Sequence, residues 1–152
     1  ASRVGESVPA RWEEIDWENR IWSVPPERRK DQKPYPHRVP LSDQAIELLK
    51  SIEKKSEYIF GVSEKSLGSR YSLTPLLKKM TGTTATMHGF RSTFRDWAAE
   101  NGVPDIVAEK CLMHTTGNAV VQAYQRSDLL EQRREVMQQW ADTVFSEVSS
   151  AA

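Results

Sequence analysis

The apolar positions of the chain fall into two regimes. Short apolar stretches bounded by prolines dominate the first quarter, and helical spacing dominates the rest. Arg3 to Val8 has helical composition, and Pro9 predicts its end. Ile21-Trp22-Ser23-Val24 reads as a short strand, Pro25-Pro26 and the charged stretch to Pro36 as a loop, and Arg38-Val39 before Pro40 as a second strand. Two strands around a charged loop predict a small antiparallel hairpin with a basic tip. Ser42 is a good N-cap for a helix carrying Ala45, Ile46, Leu48, Leu49 and Ile52 at helical spacing. Tyr58-Ile59-Phe60 is a short apolar segment ended by Gly61. Leu73 to Met80 predicts a second helix, with Lys78 and Lys79 at its end, where they favour the helix dipole.

From His88 onward the pattern is almost wholly helical. Gly89 to Glu100 is one helix, ended by Asn101-Gly102. Pro104 opens the next, with Ile106, Val107 and Leu112 apolar. Ala119 to Tyr124 predicts a short helix. Asp128 to about Val148 predicts a long final one, with Leu129, Leu130, Val136, Met137, Trp140, Val144 and Phe145 on one side. No internal repeat is visible.

Length and composition narrow the class. The chain has 152 residues, a single-domain length. Hydrophobic residues make up 38% and charged residues 28%, with five Trp, which is a globular composition and not a disordered one. No apolar run is long enough for a transmembrane helix, and the opening residues lack the pattern of a signal peptide. The single cysteine, Cys111, excludes a disulfide framework and fits a reducing compartment. The chain opens with helical composition, so residue 1 is read as a boundary within a longer protein.

The net charge is zero, from 21 Lys and Arg against 21 Asp and Glu. This argues against a nonspecific polycation but leaves room for a local basic face. Between residues 24 and 41, Arg28, Arg29, Lys30, Lys33 and Arg38 outnumber Glu27 and Asp31. Residues 51–87 are also basic on balance, and residues 135–152 carry only Glu135, Asp142 and Glu147.

Four side chains attract chemical interest in the second half. His88 and Arg91, three apart at a helix start, share one face near a helix N-terminus that suits a phosphate. His114 follows an apolar helix and precedes a turn. Tyr124 lies ten residues further on, and a phenol with a reference pKa of about 10 is a poor nucleophile without cationic help. Each alone reads as structural: a solvated Arg, a helix-end His, a packed Tyr.

Together, in this order and with their local wording, they resemble the C-terminal signature of the tyrosine recombinases, the phage integrase family, and in particular its prophage-type integrases. Met87-His88-Gly89-Phe90-Arg91-Ser92-Thr93-Phe94 is similar to the family's second box. Leu112-Met113-His114 and Ala123-Tyr124-Gln125-Arg126 resemble the third histidine and the nucleophile stretch. Leu129 to Arg134 and Met137 to Ala141 resemble the tail. Upstream, Ser2-Arg3-Val4-Gly5-Glu6 and then Ala10 to Asp16 look like the first box, with Arg3 at the first catalytic arginine. Pro26-Glu27-Arg28-Arg29-Lys30, followed by His37 to Ser42, looks like the hairpin that supplies the catalytic lysine: Lys30 by position, with Lys33 the other candidate. The resemblance covers essentially the whole chain. It departs at Met113, where family members often have Gly, at Pro9, and upstream of Arg3, where the resemblance implies leading helices and arm-binding and core-binding domains that these 152 residues do not include.

The resemblance implies a mostly α, α+β recombinase catalytic fold with a small antiparallel β-sheet over residues 1–152, and DNA cleavage and rejoining through a 3′-phosphotyrosine. It implies that Arg3 and Arg91 clamp the phosphate and His114 donates to the same oxygens. Tyr124 attacks, Lys30 is the general acid for the leaving 5′-oxygen, and His88 partners the tyrosine proton. Five cationic or donor groups require no cofactor and no metal. Arg28, Arg29, Lys33 and Arg95 are candidate DNA contacts, with an ion pair the competing reading of Arg95. His37 is read as hairpin surface, Trp12, Trp17, Trp22 and Trp97 as core, and Cys111 as buried apolar filler. The implied partners are double-stranded attachment-site DNA, a homotetramer on DNA from a fragment that is monomeric alone, an accessory DNA-bending protein and an excisionase, with no membrane. The implied location is the bacterial cytoplasm, at the nucleoid. A type IB topoisomerase shares the catalytic set. Residues 92–112 also resemble a helix-turn-helix, but its second helix carries Asp105 and Glu109 against only Lys110, a poor surface for a DNA groove. A third alternative is a truncated remnant that keeps the fold without the activity.

Overall fold

The computed structural model describes residues 2–60, 73–114 and 127–150. The helix expected over Ala119–Tyr124, and Tyr124 itself, lie outside the described residues.

Helix α1, Val4–Ser7, is followed by a 3₁₀ turn at Trp12–Glu14 and then by three strands: β1 (Ile15–Asp16), β2 (Ile21–Val24) and β3 (His37–Pro40). They form one antiparallel sheet in the order β1-β2-β3, with Ile15 opposite Trp22, and Trp22 opposite Val39. The expected hairpin is β2–β3, and β1 extends it by one short strand that the sequence pattern does not mark. The sheet buries Ile15, Trp22, Val24 and Val39 with Ala10 and Ile59, and Trp12, Leu41, Leu49 and Ile52 pack against them. Ile59 reaches this cluster because its N–H donates to the Ala10 carbonyl at 2.9 Å. That bond, with the isolated bridge between Arg11 and Tyr58, attaches the predicted apolar segment to the stretch that precedes β1.

Helix α2, Asp43–Ser51, starts at the predicted cap: the Ser42 hydroxyl accepts from the Ala45 N–H at 3.3 Å. Helices α3 (Leu73–Thr81), α4 (Gly89–Glu100), α5 (Asp105–Cys111) and α6 (Leu130–Ser150) complete the described fold. Among the described residues no helix is long and apolar enough to cross a membrane.

The second core is helical. Helix α4 buries Arg91, Phe94, Trp97 and Ala98 along one stripe. Phe94, Trp97 and Ala98 meet Val107, Ala108, Cys111 and Leu112 near α5 and Val136 of α6, with Met137 and Trp140 closing over them. Trp140 stands edge-on to Phe94, with ring centroids 5.7 Å apart, and tilted to Trp97 at 5.2 Å. Burying a side chain such as Phe94 contributes about 1.5–3 kcal/mol, so this cluster is what fixes α4, α5 and α6 to one another. The apolar stripe of α6 therefore covers its own chain's core.

Four expectations need correction. The last helix begins at Leu130 and not at Asp128, because Leu129 takes a left-handed backbone conformation, φ +53°. Phe145, expected on its buried side, is exposed. Trp17 is 42% exposed and stacks on half-buried Trp12, whereas Trp22 and Trp97 are core. His37 is not hairpin surface: it is half-buried, and its Nε2 lies 3.3 Å from a guanidinium nitrogen of Arg133. Burial, then the charges of Arg133 and Arg29, push the His37 imidazole down to about 3.

Arg133 is the reason α6 sits where it does. Its residue is 1% exposed, and it donates to the Arg38 carbonyl at 2.8 Å and to the Asp128 carbonyl at 3.4 Å. Further along, Gln138 accepts from the Asp43 N–H at 2.9 Å and donates to Gln44 at 3.0 Å. The tail helix is thus hydrogen-bonded to β3 and to the start of α2.

Candidate active site

Helix α5 ends by a specific device, and the site is built on it. The Met113 N–H donates to the Lys110 carbonyl at 3.2 Å, and the His114 N–H to the Glu109 carbonyl at 2.9 Å. This paired pattern is a Schellman motif, which requires a left-handed backbone at the first of the two donors. Met113 supplies it at φ +51°. Helix α4 ends in the same way, with Gly102 at φ +70° and the Val103 N–H donating to the Ala98 carbonyl at 2.9 Å.

The turn at 112–114 gathers cationic groups from three distant places. Arg91, on α4, donates from Nη2 to the Leu112 carbonyl at 2.6 Å, and the same nitrogen lies 3.1 Å from His114 Nε2. Arg3, at the start of α1, lies 3.4 Å from the Met113 carbonyl through its own Nη2. Arg3 is held there by Glu6, which is 2% exposed and accepts both the Arg3 backbone N–H at 2.8 Å and its Nη1 at 3.3 Å. Burial, then the positive charge of Arg3, push Arg91 below its ordinary value, with Glu6 and Glu109 opposing. Two guanidiniums this close repel each other and favour an anion between them.

A cleft of about 440 Å³ opens beside this turn, lined by Arg3, Lys30, Asp31, Glu109, Met113 and His114. Lys30 reaches it from the β2–β3 loop and is exposed. Lys33, in the same loop, is half-buried and does not line the cleft. His88 is exposed at the N-terminal end of α4, one turn before Arg91, and does not line the cleft either. So the described structure brings Arg3, Lys30, Arg91 and His114 together, leaves His88 beside them, and does not include Tyr124.

The hairpin is held by arginines that the sequence suggested for phosphate. Arg28 pairs with Glu14 and donates to the Pro9 carbonyl. Arg29 is buried, pairs with Asp31 at 2.6 Å, donates to the Tyr35 carbonyl at 2.9 Å and lies over the Tyr35 ring. Burial works against it, but the Arg29 bonds and charge hold the Asp31 carboxyl below its usual range. Arg95 pairs with Asp105 at 2.8 Å and with Glu109 at 3.2 Å. All three guanidiniums are thus engaged by internal acceptors. Arg95 and His114 pair with the acids of α5.

Sequence reasoning missed Glu6, Glu109 and Arg133. Glu6 had a local signal, an acid three residues after Arg3, which is the spacing of side chains on one helix face. Glu109 had a subtler one, five residues before His114 across a helix end. Among the described residues, no cluster of three or more His, Cys, Asp or Glu is arranged to hold a metal ion.

Comparison with known proteins gives one consistent result. The chain is 38% identical to the prophage integrase IntA of Escherichia coli K12, over 94% of its own length and 36% of that protein's. It is 36% identical to the integrase of Shigella phage Sf6, over 97% of its length and 40% of that protein's, and 33% identical to the integrase of Enterobacteria phage P4, over 92% and 36%. The chain therefore spans 36–40% of the length of these relatives. No solved structure matches. The model of the phage integrase family matches residues 1–131, and the chain belongs to that family.

Proposed function

We propose that this chain is the catalytic domain of a site-specific DNA recombinase that integrates and excises a prophage through a covalent 3′-phosphotyrosine at Tyr124. The observation that carries the reading is the turn at 112–114, where the Leu112 and Met113 carbonyls hold Arg91 and Arg3 around the ring of His114. A phosphodiester under attack gathers negative charge on its nonbridging oxygens, and fixed guanidiniums stabilise that charge best. Arg3 and Arg91 form the clamp, and His114 donates from Nε2 when its ring is protonated.

In the cleavage step the Tyr124 oxygen forms a bond to phosphorus, and the bond from phosphorus to the 5′-oxygen breaks. The tyrosine proton passes to His88. The leaving 5′-oxygen takes a proton from Lys30, whose position on the cleft favours it over Lys33. Rejoining is the reverse, with a 5′-hydroxyl attacking the phosphotyrosine. The bond energy is conserved in the intermediate, so no nucleotide is consumed. The DNA partner is a double-stranded attachment site, and the assembly is a tetramer on two duplexes, aided by a DNA-bending protein and an excisionase. The location is the bacterial cytoplasm.

The test is covalent trapping on a nicked suicide duplex with EDTA present, using the full natural chain, wild type against Tyr124→Phe. The expected result is a protein–DNA adduct in the wild type only. Intact DNA binding without any adduct removes the reading, and an adduct that survives Tyr124→Phe assigns the nucleophile elsewhere.

A further inference from the structure

The Schellman end of α5 does more than shape the turn. In this motif the residue three from the helix end and the second residue beyond it come side by side, usually as an apolar pair. Here those residues are Glu109 and His114, and they meet as a charged hydrogen bond: Glu109 Oε2 lies 2.8 Å from His114 Nδ1. The other carboxylate oxygen, Oε1, accepts from Arg95 Nε at 3.2 Å, and Arg95 is held in turn by Asp105 at 2.8 Å. A carboxylate can only accept, so Nδ1 is the nitrogen that carries the proton. That leaves Nε2 facing Arg91 at 3.1 Å.

We propose that Glu109 is a positioning residue for His114: it fixes the Nδ1–H tautomer and the ring plane, so that Nε2 always faces Arg91 and the reacting phosphate. Arg95, suggested by the sequence for DNA, serves this chain of contacts by holding Glu109 in place. Histidines with a committed partner on one nitrogen present a defined chemistry on the other. The proposal rests on the reading of His114 as a phosphate contact, but its geometric half stands apart from that reading.

Two measurements on the full natural chain separate the two. The first is the ¹⁵N spectrum of the histidine rings, with the His114 signal identified by its loss in His114→Gln. The expected signature is the Nδ1–H tautomer in the wild type and its loss in Glu109→Ala. The second is single-turnover adduct formation on the nicked duplex from pH 5 to 9, at saturating DNA. Glu109→Ala is expected to slow it roughly tenfold to a hundredfold and to change the shape of the pH profile, with DNA affinity unchanged. Glu109→Gln, whose amide oxygen still accepts from Nδ1–H, is expected to recover most of the rate, and Arg95→Ala to fall between. An Nε2–H ring in the wild type overturns the proposal, as does a Glu109→Ala variant with wild-type rate and wild-type pH profile. A wild-type chain that forms no adduct but shows the Nδ1–H ring overturns the recombinase reading and the role at phosphate together, which is a different result from either.

Discussion

The guanidinium of Arg3 lies 3.4 Å from the carbonyl of Met113, a residue 110 positions later in the chain and itself in the left-handed backbone region. The contact joins the start of α1 to the end of α5. It also explains why this helix must end as it does: only the left-handed turn points the Leu112 and Met113 carbonyls at two arginines. Met113 is buried, so the position combines a conformation that suits glycine with an apolar environment that suits methionine.

This conflict gives a measurable inversion. Met113→Ala and Met113→Gly both lose the buried side chain, at a cost of about 2–5 kcal/mol for a Met-to-Ala truncation. In an ordinary helix position Ala would be the better of the two by about 1 kcal/mol. At φ +51° the order reverses, because a Cβ in the left-handed region costs roughly 1–2 kcal/mol. Urea unfolding should show the Gly variant more stable than the Ala variant by about 1 kcal/mol, and Ala ahead of Gly would mean the turn is not strained.

Glu6 is expected to matter beyond its size. Glu6→Ala removes the acceptor for both the backbone N–H and the guanidinium of Arg3, inside a site where the carboxylate is almost wholly buried. The expected loss is about 1–3 kcal/mol of stability, seen as a lower urea midpoint at constant slope. Adduct formation should fall by more than that loss explains when assayed well below the midpoint, because Arg3 is no longer held at Met113. An adduct yield that follows stability alone would reduce Glu6 to a structural role.

Much of this fold is legible in the chain. The β2–β3 hairpin, the Ser42 cap, the extent of α4 and the Asn101-Gly102 stop all come from local spacing or from residues with one conformational use. What escaped depends on partners far away in sequence. Arg133 looks like any surface arginine of a charged helix, and its burial follows from the Arg38 carbonyl, 95 residues earlier. His37 was misread for the same reason. Trp17 fails in the other direction, since a Trp in a β-rich segment reads as core until the sheet edge is known. At the site, order and wording drew attention to Arg3, Lys30, Arg91 and His114, which the fold brings near one another, but not to Glu6 and Glu109, which hold Arg3 and His114, because a carboxylate that orients another side chain leaves no periodic trace.

The general-acid role distinguishes two lysines in one loop. If Lys30 protonates the leaving 5′-oxygen, Lys30→Ala should slow cleavage of an ordinary duplex by about 10²–10⁴. A duplex with a 5′-bridging sulfur needs no such proton, because a thiolate leaves unaided, and the same variant should cleave it near the wild-type rate. Lys33→Ala should behave as wild type on both substrates. Rescue of Lys33→Ala instead would transfer the role to Lys33.

His37 contributes to the acid sensitivity of the fold. Its folded-state value of about 3 lies below the unfolded reference of about 6.5. Between these values the unfolded chain binds the extra proton, so stability rises with pH across this window, is complete above pH 6.5, and is lost as pH falls toward 3. One proton gives a slope of at most about 1.4 kcal/mol per pH unit. His37→Asn should flatten this part of the stability profile, measured by urea unfolding from pH 3.5 to 7. Arg133→Met should act differently. It removes the charge that repels the imidazolium, so the His37 titration should move up and the acid loss should shrink. It also strips the Arg38 and Asp128 carbonyls of their buried donor, so stability at pH 7 should fall by about 1–3 kcal/mol. Burial is the larger cause of the His37 shift, so the upward movement should be partial. A titration unchanged in Arg133→Met would mean that burial and Arg29 keep His37 neutral without help from Arg133.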